Sequence, residues 1–262
     1  MINKKELIYM NIILITILSI FYSCNNSISN YYLTPISMNF FERNTSVLSK
    51  NILTGKENPN TIQYFVKVKS EYCLYGEQYL HKQAYNAYID MYKHAQEEGI
   101  ELKILSSHRT YYTQNWLWET NWEKNRNKFT TDSACVKNML DYLSIPGTSR
   151  HHWGTDIDIL SVSPEYFTYG KGLEALNWLN KNAKTYGYYL SYTPNREVGY
   201  NYEPWHWSYA PLSRKYLKQY IETITIEDLG NIKGISTVHF NEIINEYVLG
   251  INPELLPSEF VD

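Results

Sequence analysis

Two short segments, residues 149–158 (SRHHWGTDID) and 203–207 (EPWHW), carry residue types that bind metal ions in proteins. Two His and one Asp can be drawn from the two segments as metal ligands, with a Glu three residues before the last His. These nitrogen and carboxylate donors suit a tetrahedral zinc site that keeps one position open. Neither segment is strong evidence alone, so a chain that uses them as one site must fold in a way that brings them together.

The spacing within the first segment sets a geometric condition. Side chains alternate across a strand, so His151 and Asp158, an odd seven residues apart, cannot face one metal from a single straight strand. Gly154 lies between them and offers a bend that turns His151 back. We therefore expect a bend at Gly154 and a buried strand over residues 155–160.

The second segment separates a metal ligand from a neighbouring base. Glu203 and His206 are also an odd number of residues apart, and Pro204 is tolerated only at the start or edge of a strand. Glu203 therefore belongs to the loop that enters the strand, from which it can approach the open position of the metal without binding the metal. A general base for the attacking water must stand there.

These motifs resemble those of the zinc D-alanyl-D-alanine carboxypeptidase family (peptidase family M15), which includes vancomycin-resistance carboxypeptidases and dipeptidases. They are S-x-H-x-x-G-x-x-x-D at residues 149–158, E-P-W-H at 203–206 and S-x-x-R at 106–109. The resemblance covers roughly residues 80–217. It implies an α+β fold of the hedgehog/DD-peptidase type, in which helices flank a small antiparallel sheet and the zinc site lies at the sheet.

Position by position, the resemblance also implies roles for individual side chains. His151, Asp158 and His206 would bind Zn²⁺, and Glu203 would be the catalytic base. Arg109 matches the family arginine that stabilises the carbonyl oxygen or the substrate carboxylate.

Two further positions, Gln114 and Ser149, match residues that often line the pocket in this family and are expected to bind substrate. One position departs from the pattern, because Asp156 stands where many members have Ala. As an even-spaced neighbour of Asp158, it can point to the same side of the strand. It would then be either a hydrogen-bond acceptor behind the ligands or a competing ligand.

The function implied by the resemblance is zinc-dependent removal of the C-terminal D-Ala from peptidoglycan stem peptides. The same chemistry would serve an L,D-carboxypeptidase or a peptidoglycan endopeptidase, and the motifs do not distinguish these. A non-catalytic cell-wall binding module is the alternative from another class, and an intact Glu203 argues against it.

The amino terminus has the layout of a secretory signal, with Lys4 and Lys5 before a short apolar run. Residues 1–23 are therefore predicted to be a signal peptide. Ser23-Cys24 resembles the end of a bacterial lipobox, which implies diacylation of Cys24 and a membrane-anchored lipoprotein, periplasmic or otherwise extracytoplasmic. Residues 24–60 are expected to form the lipidated N-terminus and an irregular tether, and residues 61–262 the zinc peptidase domain.

Charge and cysteine content bear on partners and compartment. The formal net charge is -3 and no basic run stands out, which argues against a nucleic-acid partner. Cys73 and Cys135 would remain in an oxidising compartment, either as a disulfide or as two buried thiols.

The remaining pattern predicts one domain of helices and short strands. Helices are predicted over residues 77–98, 110–127, 132–143, 172–186, 211–223 and 238–249, and strands over 102–106, 155–160 and 205–209. His81, His94 and His239 are expected at the surface of these helices.

Overall fold

The computed structural model describes residues 47–260, and the chain forms one compact unit from Leu48 onward. The helices are α1 Lys50–Leu53, α2 Lys82–Glu97, α3 Tyr111–Asn125, α4 Asp132–Leu140, α5 Gly170–Asn182, α6 Ala210–Thr223, α7 Ile226–Leu229 and α8 Phe240–Glu242. The strands are β1 Phe65–Lys67, β2 Tyr79–His81, β3 Ile104–Ser106, β4 Asp156–Ile159, β5 Tyr188–Leu190 and β6 His206–Tyr209. The predicted signal peptide and Cys24 lie outside the described residues.

The central element is a four-stranded sheet in the order β3-β4-β6-β5, in which every neighbouring pair is antiparallel. A separate two-stranded antiparallel ribbon joins β1 to β2. Helices account for much of the remaining described chain. The expected α+β architecture with a small antiparallel sheet is therefore confirmed.

Strand β4 has the sequence DIDI, and its alternation separates core from site. Ile157 and Ile159 belong to an apolar cluster that also contains Trp207 of β6. Asp156 and Asp158, on the alternate positions, turn to the opposite face, and they too are buried. One face of the sheet thus supplies the core, while the other presents two buried carboxylates.

The domain begins earlier than the sequence pattern indicates. Leu53, at the end of α1, is fully buried in a core cluster, and the Trp153 Nε1 donates a hydrogen bond to the Leu53 carbonyl at 3.0 Å. Residues 48–60 therefore pack with the domain, and the expected boundary at residue 61 moves to residue 48. The rest of the expected tether precedes the described part of the chain.

The helix predicted over residues 77–98 begins later, because β2 occupies its expected first turn and pairs with β1. The ribbon was missed because each of its strands has only three residues, too few to show a period of two. The segment predicted to be a helix over residues 238–249 is a short helix, α8, followed by a π-helical stretch, Ile243–Val248.

Cys73 and Cys135 are both free and buried, and they lie in different core clusters. Of the two alternatives, the structure therefore shows two buried thiols and no disulfide between Cys73 and Cys135. Over residues 47–260, we find no helix with the length and hydropathy needed to cross a bilayer.

The surface position expected for His81 is wrong. This residue is only 9% exposed, and its Nδ1 accepts a hydrogen bond from the Gln83 amide at 3.2 Å, so the ring caps the start of α2. Burial lowers the pKa of His81 to about 4, because a neutral ring avoids desolvating a charge. A neutral Nδ1 also keeps the lone pair that the cap requires.

We predict acid destabilisation through His81. A histidine whose folded pKa lies below its unfolded value of about 6.5 contributes stability above that unfolded value, and this stability is lost as the pH falls toward 4. The free energy of unfolding should fall by on the order of 2–3 kcal/mol from this residue across that window. In His81→Asn, asparagine can still cap the helix without titrating there, so urea unfolding at several pH values should show a flatter pH dependence.

The matched control for that experiment is His239→Asn, because His239 is exposed and its side chain makes no capping hydrogen bond. Its pH dependence should match that of the parent protein. Equal slopes for the parent and His81→Asn would contradict the prediction.

Candidate functional site

Antiparallel pairing of β4 with β6 brings the two sequence segments together. Asp158 lies directly opposite His206, and Asp156 lies opposite Ser208. Directly opposed side chains on one face of a sheet have Cβ atoms about 5 Å apart, so the register alone places a carboxylate beside an imidazole. The convergence required by the sequence spacing is thus achieved by strand pairing.

His151 reaches the same place from a short 3₁₀ helix, Arg150–Trp153, that ends at Gly154. Gly154 has φ of +64°, and a Cβ there would lie 2.7 Å from the Phe65 ring, so the expected bend at this glycine is present and depends on glycine. The His151 Nδ1 donates to the Ser107 carbonyl at 2.7 Å. In a neutral ring, the form that binds metal, this leaves the lone pair on Nε2, which lies 3.3 Å from Asp158 Oδ2.

The donor atoms of His151, Asp158 and His206 all lie within 4.8 Å of one another, and all three residues are buried. Burial disfavours the charged form of Asp158, but the two histidines and Arg109 outweigh it and keep the pKa of Asp158 below its usual value. Asp158 Oδ1 is buried without a hydrogen-bond partner among the described residues. Two imidazoles and a carboxylate with a free buried lone pair fit a zinc ion.

His206 is surrounded by acidic side chains. Its Nε2 lies 2.9 Å from Asp156 Oδ2, and its Nδ1 lies 3.1 Å from Glu203 Oε2 and 3.6 Å from Asp158 Oδ1. Burial disfavours the charged ring, but these carboxylates outweigh it and raise the pKa of His206 to about 10. A metal ion bound at Nδ1 would replace the proton there, because an imidazole nitrogen must be deprotonated to bind a metal.

Glu203 lies in the loop before β6, as its spacing from His206 indicates. Its backbone amide donates to the Tyr192 carbonyl at 3.1 Å, and its side chain is 14% exposed, in the wall of the cavity. It stands beside His206 but outside the three-residue donor group. It is therefore placed to exchange protons with a molecule bound in the cavity.

Arg109 follows β3 and is held from two sides. Its Nη1 donates to Gln114 Oε1 at 2.8 Å, and its Nη2 donates to Ser106 Oγ at 3.2 Å and lies 3.7 Å from Asp158 Oδ2. Gln114 is fully buried and its Nε2 donates to the Ser144 carbonyl at 2.7 Å. The structure thus places Gln114 behind Arg109 and not among the residues that line the cavity.

A cavity of about 400 Å³ opens in front of these side chains. It is lined by Arg109, Ser149, His151, Asp158, Glu203 and His206. Its aromatic wall consists of Tyr142, Tyr192, Tyr200, Tyr202 and Trp205. Sequence reasoning did not single out these tyrosines, because they come from separate loops and their common position depends on tertiary folding.

His152, although adjacent to a site residue, has a structural role. Its Nδ1 donates to the Arg109 carbonyl at 2.6 Å, and its Nε2 accepts from the Gly147 amide at 3.1 Å. Burial lowers the pKa of His152 to about 3, so the ring is neutral and fixes the backbone that carries Arg109.

Comparison with known proteins identifies the family of this chain. The family model described as VanY, D-alanyl-D-alanine carboxypeptidase, matches residues 77–212, which is more than half of the chain. The chain therefore belongs to the VanY family of D-alanyl-D-alanine carboxypeptidases. The family resemblance inferred from the spaced motifs is confirmed.

Two curated relatives are similar over part of their length. The putative carboxypeptidase YodJ of Bacillus subtilis is 29% identical over 139 residues, which cover 51% of this chain and 47% of the relative. A D-alanyl-D-alanine carboxypeptidase of Enterococcus faecalis is 25% identical over 183 residues, covering 69% of this chain and 65% of the relative. The chain thus spans between about half and two thirds of the length of these relatives.

Two solved structures are also similar to this chain. The structure of the LdcB LD-carboxypeptidase has 23% sequence identity and a TM-score of 0.49, covering 70% of this chain and 88% of that one. The structure of VanYB in complex with D-alanine-D-alanine has 22% identity and a TM-score of 0.47, covering 68% of this chain and all of the other.

Proposed function

We propose that this protein is a zinc-dependent D-alanyl-D-alanine carboxypeptidase that removes the C-terminal D-Ala of peptidoglycan stem peptides. The observation that carries the proposal is the convergence of His151, Asp158 and His206 on one cavity that also presents Glu203 and Arg109. Membership of the VanY family supports the same reaction class.

The proposed zinc ligands are His151 through Nε2, Asp158 through its carboxylate and His206 through Nδ1. A zinc ion held by these residues would supply Lewis-acid chemistry for hydrolysis of the peptide bond. Glu203 accepts a proton from the attacking water and returns it to the amine nitrogen as the C–N bond breaks. Arg109 supplies fixed positive charge for the carbonyl oxygen or for the terminal carboxylate of the substrate.

The charge distribution of the cavity favours a substrate with a free carboxylate. Among the lining residues in the described part of the chain, Arg109 is the one Lys or Arg side chain. Gln114 and Ser106 hold its guanidinium in place, so little ordering remains to be done when a carboxylate binds. An endopeptidase substrate has no terminal carboxylate to use this group.

The test compares cleavage of a stem pentapeptide with that of its C-terminal amide. The acid should release a single D-Ala, and removing its negative charge should lower kcat/KM by about 10–100-fold, the equivalent of a charged hydrogen bond. Equal cleavage of acid and amide, or release of a longer fragment, would contradict the carboxypeptidase and favour an endopeptidase. Release of D-Ala from a tetrapeptide alone would indicate the L,D-carboxypeptidase.

We predict that Arg109→Lys lowers kcat/KM for the pentapeptide by about 10-fold or more, although the positive charge is preserved. Lysine is a point charge and cannot reproduce the planar fork that contacts Gln114 and Ser106 while facing the cavity. Steady-state kinetics on the acid and the amide measure the effect. The loss should be smaller on the amide, and a kinetically silent substitution would remove Arg109 from the substrate site.

We also propose that the mature protein is an extracytoplasmic lipoprotein anchored to the membrane through Cys24. The support is the sequence layout alone, a short apolar run that ends at Ser23-Cys24. Two acyl chains give stable anchoring where one gives marginal binding. Cys24→Ser should therefore move the protein from the membrane to the soluble fraction. Unchanged membrane association that resists salt, after signal processing, would contradict this proposal.

A further inference from the structure

A buried ion pair lies directly behind the proposed zinc ligands. Arg150 Nε donates to Asp156 Oδ2 at 3.0 Å, and the two side chains are 3% and 0% exposed. Removing two charges from water costs free energy, and the attraction between the charges often does no more than offset that cost. A buried ion pair is therefore weak evidence that the pair stabilises the fold. Its contacts point to a role in the site.

Both carboxylate oxygens of Asp156 are engaged by neighbouring side chains. Oδ1 accepts from Thr155 Oγ1 at 2.7 Å and from Ser208 Oγ at 2.8 Å. Oδ2 accepts from Arg150 and lies 2.9 Å from His206 Nε2. A carboxylate with both oxygens occupied in this way is not free to bind a metal, which argues against Asp156 as a competing ligand.

The contact with Nε2 determines which nitrogen of His206 remains available. A proton on Nε2 that is donated to Asp156 leaves the lone pair on Nδ1. Nδ1 lies 3.6 Å from Asp158 Oδ1, on the side of the ring where the donor atoms converge. Carboxylates that hold a ligand histidine in this manner fix its tautomer and ring orientation and increase its basicity.

Arg150 holds this acceptor in place. Its Nε donates to Asp156 Oδ2, and its Nη2 donates at 2.7 Å to Ser208 Oγ, which in turn donates to Asp156 Oδ1 at 2.8 Å. The buried guanidinium therefore fixes one oxygen of Asp156 directly and the other through Ser208.

We propose that Asp156 is a positioning residue that orients His206 Nδ1 toward the bound zinc, and that Arg150 holds the Asp156 carboxylate in the position that this requires. The proposal rests on the proposed zinc site and assigns a role to the position where the chain departs from the family pattern. It predicts that the pair acts on metal affinity, a property that can be measured without turnover.

The experiment measures the zinc dissociation constant by competition with a chelator. Asp156→Ala should weaken zinc binding by about 10–100-fold, the usual effect of removing such a partner of a ligand histidine. Because this variant leaves Arg150 buried and unpaired, the double variant Arg150→Met/Asp156→Ala provides a second test in which no charge is left alone. It should show the same weakening. Asp156→Asn keeps an acceptor but loses the charge, and should give an intermediate affinity.

The matched control is Thr155→Val, which removes a hydrogen bond from Oδ1, the oxygen that does not face His206. It should keep zinc affinity within about threefold of the parent even if it lowers the melting temperature, as a merely structural role would. Parent-like affinity in the double variant, or a loss in Thr155→Val as large as in Asp156→Ala, would overturn the inference alone. A parent protein that binds no zinc would refute the proposed function and the inference with it.

Discussion

Replacing Glu203 by Gln is expected to lower kcat by about 10²–10⁴-fold while zinc content stays at that of the parent protein. Gln has nearly the same shape as Glu but cannot accept a proton from the attacking water. Glu203 lies in the loop before β6 and outside the donor group of His151, Asp158 and His206, so its replacement should leave the metal in place. Pentapeptide hydrolysis and elemental analysis of the same sample measure the two quantities.

The matched control is Glu197→Gln, the same substitution at an exposed position earlier in the loop and away from the cavity. Its kcat should stay within about twofold of the parent, as is usual for surface substitutions. If Glu203→Gln lost zinc and activity in proportion, Glu203 would be a ligand. The 3.1 Å contact between Glu203 Oε2 and His206 Nδ1 makes this outcome worth measuring directly.

The parts of the site that follow from sequence are those fixed by local geometry. Alternation along a strand separates Asp158 from Ile157, and the odd spacing to His151 requires a bend, which Gly154 supplies at φ of +64°. The position of Glu203 in a loop follows in the same way from Pro204. These rules depend only on a few neighbouring residues, so they hold regardless of how the rest of the chain folds.

The parts that do not follow from sequence depend on contacts between distant segments. Gln114 contacts Arg109 and the Ser144 carbonyl, and nothing in its own helix indicates that it lies behind the cavity wall. Leu53 is buried although the sequence around it resembles a tether, because it packs in a core cluster that includes Trp153, a hundred residues away. Tertiary packing determines these positions, and the periodicity of hydrophobic residues in one sequence does not show which distant segments pack together.

His81 shows how a correct element can still give a wrong residue environment. The amphipathic pattern predicted the helix that became α2, but extended it over the strand β2 and so placed His81 on its polar side. The true first turn begins one residue after His81, which makes the ring a cap and not a surface group. A shift of a few residues in a helix boundary thus converts an exposed histidine into a buried neutral one.

Replacing His206 by Ala is expected to remove the zinc ion and nearly all activity. The parent should contain about one zinc per chain, the stoichiometry of a mononuclear site, and the variant far less. The Lewis-acid contribution of a catalytic metal is worth several kcal/mol, so the rate should fall by on the order of 10³-fold or more. In this variant the imidazole would no longer lie between Asp156 and Asp158. The two remaining ligands, His151 and Asp158, would therefore be less well ordered.

Removing zinc from the parent protein distinguishes the effect of losing the metal from the effect of losing the His206 side chain. A chelator should abolish activity in the parent, and added zinc should restore it, whereas added zinc should not restore His206→Ala. The control His239→Ala changes an exposed histidine outside the donor group and should keep its zinc. Circular dichroism of each variant shows whether the fold is retained. Full zinc occupancy in folded His206→Ala would show that the ion is bound elsewhere, and the assignment of His151, Asp158 and His206 as ligands would then be wrong.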